Sequence, residues 1–91
     1  MPRYFFDLHN DMDSVDVEGR DFPDLQAARS TAVKEARAMI CASVTADGKI
    51  NLRHCIKLRD ESGAIVCVVH FEDAVEVTRG SEVLSRASAA A

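Results

Sequence analysis

The sequence has no apolar run of the roughly 20 residues that a bilayer span needs. It also lacks a signal-peptide core, since the opening MPRYFFDLHND soon turns polar. A membrane-embedded or exported chain is therefore not expected, and the cytoplasm is the expected compartment. Paired cysteine spacing is missing too. The three cysteines are odd in number and form no C-x-x-C, so they read as reduced thiols rather than a disulfide framework. Nor is there a surplus of positive charge. Fifteen acidic residues stand against 11 basic ones, a net −4, which argues against a mainly electrostatic hold on nucleic acid or anionic membrane. A phosphate-cradling glycine loop and a G-x-S-x-G nucleophile turn are both absent, and Ser62 has glycine on one side only. No internal repeat or second domain is visible.

What is present is enough for one modest core: 91 residues, 47% of them hydrophobic. The segment that organises it is residues 24–44, DLQAARSTAVKEARAMICASV. At about 100° per residue, Leu25, Ala28, Ala32, Val33, Ala36, Met39 and Ile40 fall on one face, with Gln26, Ser30, Lys34, Arg37 and Cys41 opposite. One side of a long helix is thus buried. Asp24 is a good N-cap, Pro23 bars entry from the left, and Gly48 offers the positive φ that a helix end or a turn requires. The alanines on the packing face let the helix approach a sheet closely, so bulk has to come from the sheet and its aromatic residues.

Strands flank the helix. Tyr4, Phe6 and Leu8 alternate with Arg3, Phe5, Asp7 and His9, the period of a strand with one strongly apolar face. Residues 10–14 are a polar turn, and Val15 and Val17 alternate with Asp16 and Glu18 in a second strand that Gly19 ends. Phe22 is expected at the helix entrance. After the helix, Ile50, Leu52, His54, Ile56 and Leu58 alternate with polar residues. The Asp60-Glu61-Ser62-Gly63 turn then leads into AIVCVVHF. If residues 60–63 form the loop and Arg59 pairs with Ala64, Leu58 falls opposite Ile65, Ile56 opposite Cys67, His54 opposite Val69 and Leu52 opposite Phe71. A tighter bulged turn would expose Ile65 and Phe71 and is the poorer choice. EDAVEV suits a helical turn or a short edge strand, and GSEVLSRASAAA a frayed tail or a marginal helix capped by Ser81. The expected architecture is two-layer α+β, β-β-α-β-β, with a mostly antiparallel four-stranded sheet under one helix. The domain spans residues 1–78 and a flexible tail residues 79–91.

In its segments MPRYFF, DVEG, FPDLQAAR, IKLRDESGAIV and VVHFEDAVEV, the chain resembles a family of short bacterial proteins classed only as a domain of unknown function. The resemblance covers residues 2 to about 77 and implies no activity or catalytic residue. Members often have proline where this chain has His70, which sets His70 apart from any shared site. The order of strands, glycine, FPDL and helix is also similar to small antitoxin domains of the HicB type, a likeness of topology.

Several residue types invite chemistry. His54, Cys55, Cys67 and His70 are zinc-ligand types on one hairpin, but the expected register sends His54 and Cys67 to the helix side and Cys55 and His70 to the other, so packing roles are expected and no metal. Cys41 follows Arg37 and Lys34 on the outer helix face, where cations favour a thiolate while the negative end of the helix dipole opposes it. Asp7 and His9 share a strand face that would suit acid–base work if a cleft formed there. The run Asp11, Asp13, Asp16, Glu18 begins like a calcium loop and fails at Val15 and at Asp16. An enzyme is not expected, nor a cofactor.

One helix covers one face of a sheet and leaves the other open. On the C-terminal hairpin that face carries Arg53, Cys55, Lys57 and Arg59 beside Val66, Val68 and His70, with Phe5 from the first strand: an apolar patch rimmed by positive charge. Scattered exposed aliphatics are the plainer alternative. The leading expectation is a non-enzymatic binding or oligomerisation module, with a homodimer as the simplest partner arrangement and an unidentified protein as the other. An antitoxin-like or nucleic-acid accessory role through Arg53, Lys57 and Arg59, with Phe5 stacking, and a thiol sensor at Cys41 are the alternatives.

Overall fold

The helix forms where the apolar period and its caps place it. In the computed structural model, which describes residues 1–85, α1 spans Leu25–Asp47. The Asp24 carboxylate accepts the Ala27 amide at 2.8 Å, and Gly48, at φ 64°, donates its amide to the Val44 carbonyl at 2.9 Å. The helix runs past residue 44, where the organising segment ends, and stops at the glycine, because there the backbone can turn left-handed without a Cβ penalty.

The strands are β1 (Arg3–His9), β2 (Arg20–Asp21), β3 (Cys55–Arg59) and β4 (Ile65–His70), joined as one antiparallel sheet in the order β2-β1-β3-β4. Phe71–Ala74 form a helical turn, α2, and β5 (Val77–Arg79) pairs with β6 (Glu82–Ser85) as a separate two-stranded sheet. The fold is α+β: one long helix packs on one face of the four-stranded sheet. Ala28, Ala32, Val33, Ala36 and Ile40 of α1 meet Tyr4, Ile56, Leu58, Val69, Phe71 and Ala74 in the core. Phe22 supplies bulk at the helix entrance, its ring 5.7 Å from that of Phe6 and 6.3 Å from that of Tyr4.

Four local expectations are corrected. Val15 and Val17 are exposed and outside any strand; β2 is instead the pair Arg20 and Asp21, since Asp16 turns inward and bends the chain there. The third strand begins at Cys55, because residues 50–54 turn to hand their carbonyls to α2: His54 accepts the Phe71 amide at 2.8 Å and Leu52 that of Glu72 at 3.2 Å. The hairpin register is shifted by two. Leu58 lies opposite Cys67, Ile56 opposite Val69, and Arg59, not Leu58, opposite Ile65. A two-residue shift keeps each side chain on its own face, so Cys67 and Val69 still point toward the helix. A bulge beside Arg59 absorbs the difference and leaves Ile65 55% exposed while Phe71 stays buried. Finally, Glu82–Ser85 are strand, not tail or helix: Gly80, at φ 60°, makes the two-residue turn with Ser81. The rest of the expected tail, residues 86–91, lies outside the described residues.

Candidate functional site

Strand pairing arranges the face away from α1 in three rows. His9, Cys55 and His70 lie side by side across β1, β3 and β4; Asp7, Lys57 and Val68 form the next row; Phe5, Arg59 and Ile65 the third. Val66 stands at the bulge between the last two rows. Arg53 is not on the strand. It lies in the turn before β3, exposed, and lines a shallow hollow with His70 and Glu72.

The β1 side of this face is tied up in a salt-bridged network. Asp7, only 7% exposed, accepts from Arg59 Nε at 2.6 Å and Nη2 at 3.1 Å, and from the Asp16 amide at 2.9 Å. Burial alone would raise the Asp7 carboxyl, but the Arg59 hydrogen bond, the Asp16 amide and the charges of Arg59 and His9 outweigh it and hold the pKa below 3.8. Asp16 follows the same logic. Burial opposes its ionisation, and the amides of Phe6, Gly19 and Glu18 together with the charge of Arg20 prevail. Arg59 also donates to the Asp16 carbonyl at 2.9 Å and lies 5.1 Å from the centre of the Phe5 ring. The Phe5 ring is closed from another direction by Gly19, where a Cβ would stand 2.9 Å from it and φ is +70°.

Cys55 is buried, and burial pushes its thiol above the ordinary value, the charge of Lys57 only partly offsetting this. Its strand neighbours turn to acids of their own: His9 Nδ1 lies 3.7 Å from Asp13 and His70 Nδ1 3.4 Å from Asp73. His54 sits before β3, edge-on to Phe71 and 3.5 Å from Asp11. The calcium-like run is thereby dispersed to separate partners. Among the described residues no three His, Cys, Asp or Glu side chains gather as a metal site. Cys41 is exposed on the outer face of α1, on a different element from Cys55 and Cys67.

The two edges of the sheet differ. Along β1 the segment 10–21 closes the edge: Leu8 and Ser14 exchange amide-to-carbonyl bonds at 2.9 Å each, the Asp16 carboxylate takes the Phe6 amide at 3.0 Å, and Tyr4 pairs with Arg20. Among the described residues, β4 has no strand beyond it. Its outward side chains Ile65 and Val66 are 55% and 37% exposed and Val68 is half-buried. Sequence reasoning gathered Val66, Val68 and His70, which the fold does bring together on this edge. It also counted Phe5 and Arg59 with them, and these belong to the Asp7 network. It missed Ile65, which a strict two-residue alternation assigns to the core, and the edge-closing role of Asp16, whose one visible signal is an acidic residue three positions before the glycine of DVEG.

No helix among the described residues is long and apolar enough to cross a membrane. No curated protein and no solved structure matches the chain. Residues 3–72, from the start of β1 into α2, match the family described as Domain of unknown function (DUF6894), and the chain belongs to that family.

Proposed function

We propose that the domain is a non-catalytic association module that pairs with a second copy of itself through the β4 side of its sheet. The observation that carries this reading is the contrast between the two sheet edges. One is closed by a dozen residues and a carboxylate, whereas the other presents IVCVVH with Ile65 and Val66 in solvent. Burying such aliphatics is worth roughly 25 cal/mol per Å² of apolar surface, the usual drive for pairing.

Catalysis and nucleic-acid binding find less support in the same geometry. Asp7, the candidate base beside His9, has both oxygens engaged and its carboxyl held ionised, so it has little basicity to offer. Arg59, central to the basic trio, spends its charge on Asp7, and Phe5 is covered by Arg59 and Gly19. Sedimentation equilibrium tests the proposal: the expected mass at high micromolar concentration is twice the 10.0 kDa of the chain. A mass that stays at one chain into the millimolar range overturns it.

A further inference from the structure

We propose that the two copies join edge to edge, β4 against β4 and antiparallel, with the two-fold axis at Val68, so that two four-stranded sheets become one of eight. This rests on the self-association reading above and specifies its geometry. In an antiparallel strand, successive residues turn their N–H and C=O to alternate sides. Phe71 donates its amide to His54 at 2.8 Å, toward β3. By alternation Val69 and Cys67 also face β3, and Val68 and His70 face outward. The His70 amide is already taken by the Asp73 carboxylate at 3.1 Å, as expected of a group on the free side. Val68 has no such cover. No group among the described residues accepts its amide, and it stands at the middle of the bare stretch.

A second copy is the occupant that fits. Pairing about Val68 lets each Val68 amide meet the other Val68 carbonyl, a reciprocal pair, and sets Val66 across from His70 of the other copy. β4 holds no lysine, arginine, aspartate or glutamate, so self-pairing brings no like charges face to face. Lys57 and Arg59 lie one strand back, and Arg59 is neutralised by Asp7. Because segment 10–21 closes the other edge of the four-stranded sheet, each copy has, among the described residues, one edge of that sheet to offer. The assembly stops at two and does not run on as a fibre.

The discriminating variants are Val68→Pro and Val66→Asp, compared with the natural chain by sedimentation equilibrium and far-UV circular dichroism. Val68→Pro keeps an apolar side chain and removes an amide that the single chain does not use, a change an edge strand tolerates. The dimer dissociation constant is expected to rise about tenfold or more with it, and less with Val66→Asp, whose side chain stands on the open face. Hydrogen exchange on the natural chain supplies a reading that needs no variant: the Val68 amide is expected to be protected at concentrations where the dimer forms and to lose that protection on dilution. A natural chain that is monomeric throughout overturns the self-association reading and this inference with it. A dimer in which the Val68 amide exchanges freely, or which Val68→Pro leaves intact while Val66→Asp abolishes it, overturns edge pairing alone and points to contact between the open faces.

Discussion

Asp7 illustrates how a side chain changes meaning once its neighbours are known. Beside His9 on a strand it suggests acid–base work; in the fold its oxygens are occupied by Arg59 and by the Asp16 amide. Its role is to join β1, β3 and the segment that closes the β1 edge. Asp7→Asn is expected to cost about 2 to 3 kcal/mol at neutral pH, read from urea unfolding, because it leaves the half-buried Arg59 without its charged partner. The pH dependence has a definite sign. Asp7 and Asp16 both have folded-state pKa values below 3.8, so the unfolded chain binds more protons as pH falls through that value. Their contribution is complete above 3.8 and is lost as pH falls toward the folded values. The natural chain should therefore lose urea resistance below pH 3.8, and Asp7→Asn should lose less of it over the same window. Equal slopes for the two would mean that Asp7 does not carry its share.

At the scale of elements, α1 was the most legible part of the chain. Its N-cap Asp24, its buried stripe and its terminating Gly48 are interactions among residues a turn or two apart, and the period of the stripe reveals them directly. Strand identities were legible in the same way for β1, β3 and β4, because two-residue alternation marks a half-buried strand. Their ends were not. β3 gives up residues 50–54 to hold α2, and Val15 and Val17 alternate without pairing because Asp16 between them bonds to amides of the β1 edge and its own turn. The close fit of helix to sheet makes its own prediction. Ala36 is fully buried in the core with Leu58, Val69 and Ala74, so Ala36→Leu is expected to lower stability by about 1 to 3 kcal/mol through overpacking, seen as a lower thermal midpoint.

For the molecule as a whole, the core is drawn from residues 4–74 and includes no side chain from β5 or β6. A chain ended after residue 76 is expected to keep a cooperative thermal transition with a midpoint close to that of the full chain; loss of the transition would show that the second hairpin supports the sheet. The sequence by itself determined the helix, its caps, the alternation of the strands and the α+β class, because these follow from contacts between residues close in the chain. Only the tertiary structure decided the hairpin register and its bulge, the exposure of Ile65, the capture of Arg59 by Asp7 and the inequality of the two edges. Those depend on groups such as Asp7 and Arg59, 52 residues apart, whose meeting no local period records.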